Sequence, residues 1–151
     1  MNFKHQTQSD QLDRYSFLWS QARLILAAIA LFLGGVPPIL AFLPIAGLYG
    51  LLSSLLTLAW IISGLAAGYM IYRWNQNNQK IFGGKNQKDT IAFFISVVSG
   101  LNLGLAGLSG KNIGMSISSL SIVFILVGIL YLATAIYLQQ RWNASKQKLF
   151  G

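Results

Sequence analysis

Long uncharged stretches dominate the chain, and they predict helices that cross a membrane. No Asp, Glu, Lys or Arg occurs between Arg23 and Arg73. One crossing uses about 20 apolar residues, so this stretch is long enough for two helices joined by a turn. We expect the turn at Gly34–Pro38, because two adjacent prolines remove amide donors and two glycines permit tight backbone geometry.

The same pattern along the rest of the chain predicts an all-α membrane protein with four transmembrane helices in a single domain, 1–151. The predicted elements, in chain order, are a first helix at about 15–35, an apolar connector at 39–47, a second helix at about 48–72, a basic loop at 73–90, a third helix at 91–109, a fourth helix at about 116–140 and a basic tail at 141–151. We expect Asp89 or Thr90 to cap the third helix.

Composition agrees with a membrane protein and excludes several other classes. Hydrophobic residues make up 54% of the chain and charged residues 9%, whereas soluble domains carry about 25% charged residues. Such a sequence is not that of an ordinary soluble enzyme, a disordered chain or a coiled coil. Cysteine is absent, which excludes disulfides and cysteine-ligated metal sites.

The distribution of basic residues predicts the orientation of the helices. Lys and Arg number 11 against three Asp and no Glu, for a net charge of +8. With four crossings, every basic residue except Lys111 falls on one side of the membrane. The positive-inside rule therefore places both termini and the central loop on the cytoplasmic or stromal side of a bacterial inner membrane or a thylakoid membrane. Topology explains the charge, so we predict no nucleic-acid partner.

A short polar block occurs twice. Arg73–Gly83 reads RWNQNNQKIFG and Arg141–Gly151 reads RWNASKQKLFG, with the same residue at seven of eleven positions. Duplication of a two-helix hairpin would give two parallel repeats related by an axis along the membrane normal. Alternatively, a short interfacial motif arose twice, since Arg-Trp suits any helix end on the basic side. In either case we expect the two blocks on the same membrane surface.

The two blocks and the loop between the central helices predict a basic, aromatic surface. Its members are Arg73, Trp74, Lys80, Phe82, Lys85, Arg141, Trp142, Lys148 and Phe150. We expect Phe82 and Phe150 against lipid head groups, between lysines that attract anionic lipids. The alternative is a two-part docking patch for a protein partner.

Small residues at four-residue spacing predict close helix packing. Ser96, Gly100 and Gly104 form such a face on the third helix, and Gly64 and Gly68 form one on the second. Small side chains let two helix backbones approach, and the helices are then held by van der Waals contacts.

Two polar residues of the predicted helices require partners. We expect Asn102 to point inward and to hydrogen-bond across the bundle, because an amide facing lipid is costly. Its alternative role is to line a pore or to bind a ligand. We expect the long side chain of Arg23 to extend back to the membrane surface.

The ionisable residues form no catalytic set. Asp10, Asp13, Asp89 and the single histidine, His5, all lie outside the predicted crossings. A carboxylate pair, a metal site or a haem ligand cannot be assembled from them inside the membrane. We therefore predict no enzymatic activity, no cofactor and no bound metal.

The segment KIFGGKNQKDTIAFFISVVSGLNLGLAGLSGKNIGMSI, Lys80–Ile117, resembles small, uncharacterised polytopic membrane proteins of cyanobacteria and plastids. The resemblance covers about a quarter of the chain. It implies a photosynthetic cell and a thylakoid or plasma-membrane location, and it carries no functional residue over to this chain.

Two functional hypotheses follow. The first is a non-enzymatic accessory, assembly or scaffold protein that associates with a larger membrane complex through its glycine faces and basic surface. The second is a small channel or facilitative transporter for an uncharged or small solute, acting alone or as a homo-oligomer. Its candidate polar lining is Asn102, Ser53, Ser54, Ser96 and Ser99. A transporter of charged solutes is expected to hold an ionisable group inside the membrane, and the sequence predicts none there.

Overall fold

Five α-helices make up most of the residues that the computed structural model describes, which are 3–34, 49–117 and 120–150. They are α1 (Phe3–Phe32), α2 (Tyr49–Gln76), α3 (Gln87–Ser109), the short α4 (Ile113–Ile117) and α5 (Ser121–Ala144). The helices α1, α2, α3 and α5 are long and apolar enough to cross a membrane. The prediction of an all-α protein with four such helices is confirmed.

Two of the long helices extend further than the hydrophobic pattern predicts. α2 continues to Gln76 and α5 to Ala144, so Arg73 and Arg141 belong to helices and not to the loop and the tail. Both arginines pair with carboxylates of neighbouring helices, and these pairs give the polar last turns a reason to stay helical. α1 likewise begins well before the predicted position 15.

α3 begins earlier than predicted, and its cap is a different residue. Asn86 is the N-cap, and its side chain accepts a hydrogen bond from the Lys88 amide at 2.8 Å. The prediction of Asp89 or Thr90 as the cap was wrong. The Asp89 carboxylate binds Arg141 instead, and the Thr90 hydroxyl donates to the Asn86 carbonyl.

The far end of the bundle contains an extra short helix. α3 ends at Ser109 and is capped by Gly110, whose φ of 70° is left-handed and whose N–H donates to the Ala106 carbonyl, as is common for a glycine after a helix. α4 follows, so the predicted fourth helix is divided into α4 and α5. Residues 35–48 lie outside the described residues. They include the predicted connector at 39–47 and all of the predicted break at Gly34–Pro38 except Gly34.

Small residues bring α2 and α3 together. A β-carbon added to Gly104 would lie only 2.6 Å from the Gly64 Cα, and one added to Gly100 would lie 2.8 Å from the Ala67 Cβ. These distances are too short for a side chain, so Gly64, Gly100 and Gly104 lie at close contacts between the two helices. Gly68 differs: no atom of a described neighbouring element lies within 4 Å of the position its β-carbon would occupy.

The apolar core is concentrated at the end of the bundle where α2 and α5 end and α3 begins. Its buried members are Phe17, Ala67, Met70, Ile81, Ala92, Phe93, Val97, Leu138, Trp142, Leu149 and Phe150. α2 packs mainly on α3 and α1 mainly on α5, with smaller contacts between α1 and α2 and between α3 and α5. We call this end of the bundle the paired end.

Candidate functional site

Polar side chains connect α1 to α2 at the paired end. Arg73 binds Asp13 through two contacts, Nη2 to Oδ2 at 2.7 Å and Nε to Oδ1 at 2.9 Å. The Tyr69 hydroxyl donates to Asp13 Oδ1 at 2.7 Å. Asp13 is 4% exposed, so this carboxylate is surrounded by donors that offset its removal from water.

An equivalent group connects α3 to α5. Arg141 binds Asp89 through Nε to Oδ1 and Nη2 to Oδ2, both at 2.8 Å, and the Tyr137 hydroxyl donates to Asp89 Oδ1 at 2.7 Å. Asp89 is completely buried. Each hairpin, α1 with α2 and α3 with α5, therefore contains one aspartate held by a tyrosine and an arginine from its second spanning helix.

Aromatic rings connect the two hairpins. Phe17 of α1 stacks on Trp142 of α5 with 4.4 Å between ring centroids. In the corresponding contact, Phe93 of α3 lies against Trp74 of α2 at 6.3 Å. In each hairpin, the phenylalanine of the first spanning helix thus contacts the tryptophan of the other hairpin.

The arginines also contact the opposite hairpin. Arg73 Cζ lies 5.9 Å from the centroid of the Phe150 ring, and Arg141 Cζ lies 5.7 Å from that of Phe82. Both distances are within the range of a cation–π interaction. The Phe82 amide donates to the Leu149 carbonyl at 2.8 Å, so the two blocks that share a sequence also touch through their backbones.

Each block turns back over the core through two residues with left-handed backbone angles. The φ values are 53° and 62° at Asn78 and Gln79, and 56° and 62° at Lys146 and Gln147. In both blocks the second residue of the pair donates its N–H to the carbonyl of the block's tryptophan at 3.0 Å. This turn directs Ile81 of the first block, and Leu149 and Phe150 of the second, toward the protein interior.

The blocks are consequently less exposed than the sequence predicts. Lys80, Lys85 and Lys148 are exposed, but Trp142 is 3% exposed and Phe150 is 6% exposed. The remaining predicted surface residues, which are partly buried, are Arg73, Trp74, Phe82 and Arg141. The expectation that Phe150 lies against lipid head groups is corrected: its ring packs edge-on against Phe93 at 6.1 Å.

Arg23 lies inside the bundle and does not extend back to the surface as predicted. It is 6% exposed, its Nη1 donates to the Ser99 hydroxyl at 2.9 Å, and its Nη2 donates to the Ser96 carbonyl at 2.6 Å. Gly100 leaves room for the guanidinium, since a β-carbon there would lie 3.3 Å from Arg23 Cζ. Arg23 follows Asp13 by about 15 Å along α1, half the thickness of a bilayer core.

Arg23 borders a cavity of about 530 Å³ between the spanning helices. We call it the bundle cavity. Its lining is mostly apolar and includes Leu26, Leu56, Trp60 and Val127. The polar groups on its wall come from Arg23, Trp19, Ser63, Ser99, Asn102, Asn112 and Tyr131. This size is typical of pockets that hold small molecules.

Asn102 lines this cavity, but its hydrogen bonds differ from the prediction. Its Nδ2 donates to Asn112 Oδ1 at 2.9 Å, and its Oδ1 accepts from the Gly114 amide at 3.3 Å. These bonds join α3 to the start of α4, not to another spanning helix. Of the other predicted lining residues, Ser99 reaches the cavity, whereas Ser53 and Ser54 are exposed and do not line it.

One sequence pattern would have pointed to the aspartates of the paired end. The pattern D-x-x-x-F-x-x-S begins at Asp13 and again at Asp89. It places an aspartate, a core phenylalanine and a serine at matching positions of α1 and α3. The spacing between the two copies differs from that of the RWN blocks, so a search at a single offset misses it. No such pattern marks Arg23 as buried.

Among the described residues no group of three or more His, Cys, Asp or Glu side chains is placed to hold a metal ion. The functional interpretation is based on the geometry of the bundle cavity and of the paired end. The sequence matches no protein-family model, no curated protein and no solved structure.

Proposed function

We propose that this chain is a small, non-enzymatic membrane protein that binds a hydrophobic or amphiphilic molecule inside its helical bundle, as a facilitative transporter does. The observation that supports this function is the bundle cavity with Arg23 on its wall. A mostly apolar cavity with a few polar groups is the usual form of a small-molecule site. An ionisable side chain at membrane depth is rare and usually functional.

The buried position of Arg23 changes the comparison between the two hypotheses. The sequence argued against a transporter of charged solutes because no ionisable group was expected inside the membrane. Arg23 provides such a group, at a depth that the charged ends of the helices do not reach. Within the described part of the bundle interior, no comparable feature supports the accessory hypothesis.

Native mass spectrometry of the protein released from its membrane in a mild, neutral detergent tests this function. We expect a bound small molecule in the wild-type protein and in Ile129→Trp, whose side chain is 53% exposed on α5. Val127→Trp places an indole inside the cavity and is expected to remove the molecule. Retention of the molecule by Val127→Trp would show that it binds elsewhere.

A second candidate function is that of an accessory, assembly or scaffold protein, and it is favoured by the exposed lysines near the paired end. These are Lys80, Lys85, Lys88, Lys146 and Lys148. They suit anionic lipid head groups or an acidic face of a membrane-protein partner, including a larger complex. The contacts between the blocks beneath them hold the surface in one shape.

The accessory role predicts a stable partner. A tagged protein isolated in mild detergent should carry that partner at fixed stoichiometry, and Lys80→Glu with Lys85→Glu should release it. Lys111→Glu, at the opposite end of the molecule, is the matched control and should retain it. A pure protein or homo-oligomer, with or without the substitutions, would argue against this role.

We also propose that the two hairpins are parallel repeats and that both termini lie on the cytoplasmic or stromal side, in a bacterial inner membrane or a thylakoid membrane. The matching Asp–Tyr–Arg groups and the reciprocal aromatic contacts support the repeat. The basic residues clustered in the central loop and in both terminal segments support the orientation.

A further inference from the structure

We infer that the bundle cavity selects a molecule with one anionic head group and one hydrocarbon chain, that is, a long-chain carboxylate whose head lies on Arg23. This inference rests on the proposed binding function and names the chemical class of its ligand.

Arg23 carries a buried positive charge. A guanidinium stays protonated in proteins, and a buried charge without a counter-ion costs several kcal/mol. The chain has three side-chain carboxylates. Asp13 and Asp89 are each held by another arginine, and Asp10 is exposed near the start of α1. No side-chain carboxylate of the chain is therefore positioned to neutralise Arg23.

The guanidinium of Arg23 donates hydrogen bonds to uncharged groups of α3. Its partners are a serine hydroxyl and a carbonyl of α3, together with the Ser96 hydroxyl at 3.3 Å, and all of these are neutral. The Nε of Arg23 is buried and has no hydrogen-bond partner among the described residues. A carboxylate in the cavity would supply the missing negative charge beside the guanidinium.

The apolar wall of the bundle cavity favours a ligand with a hydrocarbon chain. Beyond Arg23 the wall consists largely of aliphatic and indole side chains, such as Leu26, Leu56 and Trp60. Such a surface suits a hydrocarbon chain and gives few partners to a polar solute. An inorganic anion would satisfy Arg23 but would leave this apolar volume unfilled.

The depth and size of the site favour one chain over two. Arg23 is about 15 Å from the Asp13 level along the helix, well below the surface where phospholipid head groups lie. The volume of about 530 Å³ is that of a small-molecule pocket, not of a two-chain phospholipid. A single-chain carboxylate has a smaller head group than a phospholipid, so its head group reaches this position more easily.

The test compares hexadecanoate with hexadecanol, which has the same chain and no charge. Binding of each to the delipidated protein in neutral detergent is titrated by native mass spectrometry. For the wild-type protein we expect hexadecanoate to bind at least about tenfold more tightly, which is the size of one charge-assisted hydrogen bond. Arg23→Gln should abolish this preference, and Arg14→Gln, an exposed position of the same helix, should preserve it.

The outcomes separate this inference from the proposed function. Equal binding of the acid and the alcohol to the wild-type protein would overturn the anionic ligand but leave the cavity as a binding site. If neither hexadecanoate nor hexadecanol binds, both the anionic ligand and the proposed binding function are overturned. Displacement of hexadecanoate by an equal concentration of phosphatidylglycerol would overturn the single-chain assignment. The wild-type comparison needs no variant, so it stands even where Arg23→Gln fails to fold.

Discussion

Asp13 and Asp89 are the residues on which the paired end depends most directly. Each is buried and accepts hydrogen bonds from an arginine and a tyrosine of another helix. Removing one partner from such a group leaves the others in a poorly solvated place without their acceptor. A buried aspartate here is therefore more important for stability than an exposed one.

We predict that Asp89→Asn lowers the free energy of unfolding by about 1–3 kcal/mol. The amide keeps the shape of the side chain but loses its charge and one acceptor oxygen. Unfolding in detergent, followed by tryptophan fluorescence, measures the effect. Asp10→Asn, at an exposed position, is the control and should change stability by less than about 0.5 kcal/mol. Equal effects would mean that the buried pair contributes no special stability.

For single residues, the sequence predicts the kind of contact that a residue makes better than it predicts the group that the residue contacts. The four-residue spacing of small residues predicts close helix contacts, and Gly100 and Gly104 lie at such contacts whereas Gly68 does not. The sequence does not place Arg23, since a long charged side chain can extend either to water or into the bundle interior. Phe150 illustrates the same limit: an interfacial position and a core position need the same residue type.

The contact between α2 and α3 is set by backbone proximity. Gly64 and Gly104 face each other so closely that neither position has room for a methyl group. Dispersion contacts between backbones, rather than an apolar driving force, hold helices together in lipid. A single added carbon at this contact must therefore separate the helices.

We predict that Gly104→Ala destabilises the bundle by about 1–3 kcal/mol, the usual cost of overpacking. Gly68→Ala is the matched control on α2, because its added methyl group meets no described neighbour within 4 Å; its effect should be within about 0.5 kcal/mol. Both are measured by thermal unfolding in the same detergent. A larger loss for Gly68→Ala would contradict this view of the helix contact.

The number and type of the elements follow from hydropathy, whereas their ends follow from polar contacts. The pattern predicts four spanning helices because long apolar stretches permit few other structures in a bilayer. It stops α2 and α5 too early, because Arg73 and Arg141 look like the start of a loop. Only the aspartates of the neighbouring helices explain why these turns remain helical.

The whole molecule has two unlike ends. The paired end contains the apolar core, both ion pairs and the aromatic contacts. The other end is occupied by the bundle cavity and by the turn between α3 and α4. The buried ion pairs and the bundle cavity thus lie in different parts of a small protein.

The proposed orientation predicts that the two ends label from opposite sides of the membrane. The chain has no native cysteine, so Lys85→Cys and Lys111→Cys each introduce a single thiol at an exposed position. In intact cells a membrane-impermeant maleimide should modify the Lys111→Cys protein alone. After permeabilisation both should react. Modification of both in intact cells would refute the four-crossing topology.

The division of contacts between the hairpins has a consequence for how the protein is assembled. Each Asp–Arg pair lies within one hairpin, whereas the aromatic rings, the Phe82–Leu149 backbone contact and the glycine contact between α2 and α3 join one hairpin to the other. Because these contacts join the hairpins, the peptide bond between Gly83 and Gly84 is needed to keep them together only when two separate hairpin fragments would be dilute in the membrane. Two co-expressed fragments, 1–83 and 84–151, should associate into one complementing complex.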